Sequence, residues 1–590
     1  MRISEQTETL NRSSWSTLPA EIVPLVIGVT GHRDLVEEEI PGLRTRVRAL
    51  LEQLRADYPD LPLVVMSPLA EGADRLVAEE ARALGIPLSV PLPFPVSIYE
   101  HDFKAPGSLE QFRDLCADAQ VVELPLLPGD TPETIAEYGH RRDAHYARLG
   151  IYLCAHCHIL LAIWDGKESD KLGGTAQVVH FHHRDEMPGF VKRSETSPHI
   201  LAEDESDLVW HLVCSRNRSD GAPAEGFVPL ETFWYTNDAQ QPRTRRMPAA
   251  YRGIFTRTAE FNRDVLRFLE RIRSEGWPLL TENAPQEITR VAGPVNAMFK
   301  AADTLAIHFQ ARFMTAMRVL YTIAALMGLT VVAYPSVPWL EFLAFVFLGL
   351  FITGAVIYQV AERGGWHRKY LDYRALAEGL RVQFYWVASG VTAGRTTKFA
   401  HDNFLQKQDV ELGWIRNVMR WTGRTGNISQ GTRAGLEYVT REWVGTPHSE
   451  TGQLAYYQHK SRERMGLNRR THAISMVCMW SGIALGVALV IYARQMSRHW
   501  EDLLIMFMGV LPMIAAVREA YAQKRAEREL IKQYLFMGRI FGNACRRLEM
   551  AESDAVRRHI LKALGDAALE EHAQWLLIHR ERPLEHGLKA

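Results

Sequence analysis

Cysteine is scarce in this sequence, six in 590 residues. Their uneven spacing excludes a disulfide scaffold and fits a reducing cytosol. An excess of charge of either sign is also missing: 68 Lys and Arg stand against 69 Asp and Glu, a formal net charge of −1. That balance excludes a basic nucleic-acid binder held by phosphate contacts and an acidic disordered chain. No G-x-x-x-x-G-K-[ST] occurs, which speaks against a P-loop NTPase, and G-x-G-x-x-G is absent too. Met1 to Ala20 is polar without an apolar core, so this stretch is expected to be disordered and not a signal peptide. The length implies about three to four folded units.

Formal charge is absent from four long stretches, and these organise the second half of the chain. No charge lies between Arg318 and Glu341, and none in the twenty residues Phe342 to Ala361. Thr471 to Ala493 is equally clean, and Leu503 to Val517 adds fifteen uncharged residues that include Pro512. About twenty apolar residues at the helical rise cross a bilayer core, so four spans in two hairpins are expected, the fourth the weakest. Pro335 and Pro338 mark the turn of the first hairpin. Gly482 and Gly486 in the third run have the spacing that lets helix backbones approach closely in lipid. Arg312 and Arg318 precede the first pair, and Arg363, Arg368, Lys369 and Arg374 follow it. Lys460, Arg462, Arg464, Arg469 and Arg470 precede the second pair, and Arg518, Lys524, Arg525, Arg528 and Lys532 follow it. The first hairpin's turn has no basic residue and the second's only Arg494 and Arg498. The positive-inside bias then puts both chain ends in the cytoplasm of a plasma (inner) membrane protein. No Asp, Glu, Lys or Arg falls inside a run, so a proton relay or charge-lined transport site is not expected.

From Glu21 the pattern changes to strands alternating with helices. Apolar strands are predicted over Ile22–Val29, Leu61–Met66, Ile86–Val90, Val121–Leu124 and His158–Ile163. Helices are predicted from Val47 to Leu54, from Arg75 to Leu84 and from Pro132 to Ala155, the last with proline in its first turn. This alternation predicts a parallel sheet covered on both faces, with a ligand beyond the carboxyl ends of its strands. Three strand ends carry the polar and glycine residues. The first has Thr30, Gly31, His32 and Arg33; the second Ser67, Glu71, Gly72 and Asp74; the third Asp165 and Gly166, followed by Gly173, Gly174 and Thr175. Glycine at a strand-to-helix turn allows close backbone approach, free N–H groups at a helix start favour phosphate, and arginine supplies a forked cation. Glu71 and Asp74 suit ribose hydroxyls. Ordinary turn and capping roles account for any one of these motifs, but less readily for three on one sheet edge.

VIGVTGHRDL, SPLAEGADRLVAEEARALGI and HILLAIWDG with GGTAQVV together resemble the SLOG superfamily of Rossmann-like nucleotide-binding domains. The resemblance covers roughly residues 22 to 195. Its members include nucleoside-monophosphate hydrolases, DNA-processing proteins and the ligand-binding region of melastatin-type channels. The hairpins, with a Tyr-Arg-x-Leu-Ala-Glu helix behind the first, resemble the SLATT two-helix effectors of bacterial conflict systems. The resemblance implies a nucleotide- or NAD-derived ligand in the crevice and a membrane effector driven by it, in bacterial anti-phage defence. The hydrolase members carry a glutamate three residues after the Gly-Gly-Thr threonine; here that position is Val178. Binding is therefore favoured over hydrolysis, and no catalytic residue is assigned.

Cys154-Ala-His-Cys157-His158 matches the c-type haem attachment pattern, but such attachment requires export. Zinc is the better rival there, with His180, His182 and His183 nearby, yet Cys157 and His158 enter an apolar strand where buried side chains belong. No metal and no resident cofactor are expected. The expected organisation is an α/β Rossmann-like domain over 21–200, extended by 201–290; a first hairpin with flanking helices over 291–395; a connector over 396–450; a second hairpin over 451–545; and a helical segment over 546–590. The expected partners are a nucleotide-type small molecule, the lipid bilayer and further copies of the chain. The rival to a ligand-gated effector is a membrane-anchored nucleotide or NAD hydrolase.

Overall fold

The computed structural model describes residues 18–191, 208–236, 240, 242–336, 342–392, 404–405, 410–424, 431–446 and 451–580. Most of the N-terminal stretch expected to be disordered, and the hairpin turn around Pro338, lie outside the described residues. The chain divides into two compact units. The first comprises 1–301 with 379–435, the second 302–378 with 436–590.

The first unit is built on one eight-stranded sheet. Its strands are β1 (Leu25–Gly31), β2 (Leu63–Met66), β3 (Leu88–Leu92), β4 (Gln120–Glu123), β5 (Ile159–Trp164), β6 (Val209–Val213), β7 (Thr232–Tyr235) and β8 (Arg243–Thr244). Their order across the sheet is β4-β3-β2-β1-β5-β6-β7-β8. β1 to β6 are parallel, as the alternation of strands and helices predicts, and β7 and β8 add an antiparallel edge. Leu25 to Thr30 of β1 and every residue of β5 are buried. Alternate side chains point to opposite faces, so both faces of the sheet are covered.

The helices of this unit begin with α1 (Ile40–Asp57), α2 (Ala73–Ala83), α3 (Ser108–Ala117), α4 (His140–His156) and α5 (Thr175–Arg184), each lying between successive strands. α6 (Ala249–Arg267) and α7 (Leu269–Glu275) follow the sheet. α4 corrects the expectation of a helix from Pro132. Among Glu133 to Gly139 only Ile135 is buried, so that stretch has no apolar stripe to hold a helix, and it forms turns.

The division between the units falls inside three helices: α8 (Gln286–Ser336), α10 (Trp366–Ser389) and a short helix over Arg433–Val439; α9 (Leu343–Arg363) lies between the first two in sequence. From the stretch read as a connector, α11 (Gly413–Gly423) is buried along its whole length in the first unit. Its Trp414 ring lies 5.5 Å from Phe261 of α6. After the short α12 (Arg433–Val439) come α13 (Gly452–Tyr492), α14 (Arg498–Lys524), α15 (Glu527–Glu549) and α16 (Asp554–Arg580).

Four stretches in the second half are long and apolar enough to cross a membrane: Gln286–Tyr334, Leu343–Ser389, Gly452–Tyr492 and Trp500–Glu549. The fourth run lies in one helix of 27 residues that continues through Pro512, long enough for a bilayer core. Large apolar side chains stand exposed along them, Phe345 at 78% and Val490 at 83%. Apolar surface this continuous is covered by lipid or by protein. Within the second unit α13 and α14 meet at Gly482, where a Cβ would stand 2.8 Å from Pro512 Cγ. A Cβ on Gly509 of α14 would stand 3.1 Å from Val332 of α8, and one on Gly354 of α9 would stand 3.5 Å from Ile323 of α8.

Candidate functional site

β1 and β5 are neighbours, yet the chain winds away from them in opposite directions, through β2 to β4 and through β6 to β8. Their carboxyl ends therefore open a crevice, the ligand position of open α/β sheets. A cleft of about 550 Å³ lies there, a size that suits a small-molecule ligand.

The residues marked at the three strand ends divide into two groups. Thr30, Gly31, His32, Arg33, Asp74, Asp165, Gly173, Gly174 and Thr175 line the cleft, whereas Ser67, Glu71, Gly72 and Gly166 do not. The second group shapes turns. Ser67 Oγ accepts the Leu69 N–H at 3.2 Å and donates to Asp74 O at 3.1 Å. Glu71 accepts from the Ser108 hydroxyl, to which Arg75 also donates at 2.8 Å. Gly72 has φ +82°, and a Cβ there would stand 2.6 Å from His32 O and 2.5 Å from Arg33 O. It is glycine so that the second turn can close on the first. Gly31 has the same purpose: a Cβ would collide with Ala73 and stand 2.8 Å from Ile163 O. The first glycine thus serves contact between neighbouring elements, and it also lies on the cleft wall.

At the third turn the glycine N–H groups are used internally. Gly173 donates to Gln177 Oε1 at 3.2 Å and Gly174 to Lys171 O at 3.0 Å. The first backbone bond of α5 runs from Val178 N–H to Gly174 O, which leaves the N–H groups of Thr175, Ala176 and Gln177 without an acceptor in the helix. Those of Thr175 and Ala176 belong to residues on the cleft wall, as does Val178 in place of a glutamate.

Several of the charges in the cleft are paired. His32 Nε2 lies 3.0 Å from Asp165 Oδ1, both side chains nearly buried. Burial pushes the Asp165 carboxyl up, but the His32 bond, the Lys167 N–H and the charges of His32 and Arg216 outweigh it and hold the pKa below the usual value. Arg216 Nε donates to both oxygens of Asp34, at 2.9 and 3.1 Å. Arg218 pairs with Asp220 at 2.8 Å, and Lys167 Nζ donates to Asp220 O at 2.7 Å. Arg33 differs: among the described residues its guanidinium has no hydrogen-bonded or ion-paired partner, only the Tyr146 ring at 5.9 Å. Burial opposes its charge, but Arg33 stays open to solvent, and Tyr99, Tyr146, Asp102 and Asp74 together raise its pKa. Asp74 is 5% exposed; burial dominates, and against the pull of Arg33, the Ala70 N–H and Arg75 its pKa rises to about 7.

One wall of the cleft carries no sequence motif. Tyr138 donates to Asp102 Oδ1 at 3.1 Å, Arg142 Nη2 donates to the same oxygen at 2.6 Å, and Tyr146 donates to Asp102 Oδ2. Tyr99 donates to Pro68 O at 3.1 Å. This is an aromatic and hydroxyl surface of the kind that takes a base or ribose. The only advance signal was the clustering of Tyr138, Arg142 and Tyr146 in one short segment.

The histidines of the haem-like motif do other work. His158 Nδ1 accepts the Val26 N–H at 3.1 Å, so its Nε2–H donates to Asn417 O at 3.2 Å. His156 Nδ1 lies 3.1 Å from Arg420 O. Burial is the main cause that pushes both rings down to about 3, so they stay neutral. Among the described residues no three His, Cys, Asp or Glu side chains form a group able to hold a metal.

No protein-family model matches the chain, and no curated protein matches it. Among solved structures, the X-ray structure of DNA processing protein A (DprA) from Streptococcus pneumoniae is similar at 15% identity and a TM-score of 0.17. The match covers 24% of this chain and 42% of the length of that one, a likeness too slight to carry an argument.

Proposed function

We propose that this chain is a membrane effector that binds a nucleotide-derived second messenger in the β1/β5 cleft and responds by opening a pore or disrupting the bilayer. The observation that carries the reading is the unpaired Arg33 guanidinium in a switch-point cleft that also holds the free N–H groups starting α5. The opposite tyrosines suit the base and ribose, and the four apolar helices suit the membrane step. The basic residues that flank the spans favour cytoplasmic chain ends. The four spans of one chain can pack without a continuous water path, so conductance calls for a closed homo-oligomer. A place in bacterial anti-phage defence rests on the SLOG and SLATT resemblance.

Hydrolysis is the second reading, and one observation favours it. Asp74, a cleft carboxyl raised to about 7, is poised for general acid or base work. The experiment is incubation of the detergent-purified protein with NAD, ADP-ribose and nucleoside monophosphates. Stoichiometric binding without product is expected, and steady turnover would establish the hydrolase instead. Mass photometry in detergent is expected to show an oligomer; a monomer with and without ligand would remove the pore.

A further inference from the structure

The second unit holds a second cavity, far in sequence from the β1/β5 cleft and of different chemistry. Its volume is about 560 Å³, and it lies between α8, α13 and α14. The residues that meet there share one position relative to the uncharged runs. Arg318 is the last charge before the first run, Thr471 opens the third, and Arg518 is the first charge after the fourth. Three remote segments thus bring the same boundary to one place, the boundary between apolar helix and charged flank. In a bilayer that boundary is the level of the lipid phosphates.

The charge there is unbalanced. Arg318, Arg518 and Arg525 line the cavity against one carboxylate, Glu527. Glu527 is already shared, with Arg525 at 3.2 Å and Arg464 at 3.5 Å. Arg318 and Arg518 have no acidic partner among the described residues, and Arg518 Nε is a buried donor without an acceptor. A buried guanidinium N–H left unpaired is costly, and a phosphate oxygen is the acceptor that fits its fork. Beside them Tyr321 and Tyr521 pack edge to face at 5.5 Å, an aromatic pair of the type that sits at headgroup depth.

We propose that this cavity binds the phosphate of an anionic phospholipid, with Arg318 and Arg518 as its principal ligands and the tyrosine pair against the glycerol region. Basic pockets between spans on the cytoplasmic side are where such headgroups are held. The proposal rests on the four helices being spans, and carbonate extraction of cell membranes tests that separately. A chain that washes off refutes the spans; a chain that stays but shows no lipid preference refutes this site alone.

The test is native mass spectrometry of the full chain in detergent, titrated with phosphatidylglycerol or phosphatidylcholine. Wild type is expected to retain phosphatidylglycerol at least about tenfold more tightly. The Arg318→Gln/Arg518→Gln pair is expected to lose that preference, and the Arg318→Lys/Arg518→Lys pair to keep most of it. Arg494→Gln/Arg498→Gln, which removes two charges from the other end of the second hairpin, is expected to leave it intact. Equal affinity of wild type for the two lipids overturns the proposal even if the glutamine pair fails to fold. So does an unchanged preference in a folded glutamine pair. Displacement of the lipid by glycerol 3-phosphate at comparable concentration would assign the site to a soluble phosphate and overturn the lipid assignment.

Discussion

His32 and Asp165 join the ends of β1 and β5 across the point where the strand order reverses, Nε2 to Oδ1 at 3.0 Å. Both side chains line the cleft, and Arg33 follows His32 in the chain. Asp165 also receives the Lys167 N–H at 3.1 Å, which fixes the loop leading to α5. Asp165→Ala removes the carboxylate beside His32 and leaves the Lys167 N–H without its acceptor. Its expected cost is about 1–3 kcal/mol of stability, with nucleotide affinity weakened as well. Chemical denaturation and titration calorimetry on the same preparation check both, and unchanged values in each would reduce the pair to a bystander.

Arg33 is the opposite case, a cation with no hydrogen-bonded or ion-paired partner among the described residues. Its guanidinium acts on Asp74 only through space, so Arg33→Ala is expected to change the melting temperature little. On the proposed reading of the cleft, affinity for a nucleotide ligand is expected to fall by about 2 kcal/mol, the scale of one lost charged hydrogen bond. Titration calorimetry showing equal affinity in wild type and mutant would make Arg33 a surface residue.

The alternation of apolar strands and helices, and the residues at the ends of β1 and β5, were legible because βα turns keep their chemistry local in sequence. Nine of the marked residues line one cleft, and Gly31 and Gly72 have a packing reason that the sequence did not show. Gly31 and Gly72 face each other's turns, a relation that exists only once β1 and α2 are side by side. The Tyr99, Asp102, Tyr138 and Tyr146 wall was barely legible, through the closeness of Tyr138 and Tyr146 in sequence alone. It draws on residues before and after β4, and no spacing rule connects them. The helix expected from Pro132 failed for a related reason: a favourable first-turn proline cannot form a helix without an apolar stripe to bury. The spans were the most legible part, since length and absence of charge suffice to mark them.

Two kinds of buried group give the first unit opposite responses to pH. Asp74 has its folded pKa raised from 3.8 to about 7, so its contribution to stability is complete below the unfolded value and is lost as pH rises through about 7. His156 and His158 are depressed from 6.5 to about 3, so their contribution is present above 6.5 and is lost as pH falls. Asp74→Asn removes the first response and keeps the second. Its stability is therefore expected to change less than wild type's between pH 7 and pH 8, and to fall more steeply from pH 6 to pH 4. Melting temperatures across that range provide the check. Parallel curves for mutant and wild type would mean that Asp74 is ionised throughout.

Gly482 tests whether the small-residue face of α13 works within one chain or between chains. A Cβ at this position would stand 2.8 Å from Pro512 Cγ and 3.0 Å from its Cδ, and one at Gly486 would stand 3.2 Å from Met508 Sδ. Proline is a poor neighbour to push aside, because its ring is fixed to the α14 backbone. Gly482→Leu must therefore separate α13 from α14, at an expected cost of about 1–3 kcal/mol for an overpacked contact. The detergent melting transition is expected to fall and membrane activity to be impaired, while nucleotide binding in the first unit is unchanged. If the chain assembles as proposed, the assembly should keep its size, because the contact that breaks is internal to the hairpin. A mutant that melts like wild type but runs as a smaller species would place this face between chains instead.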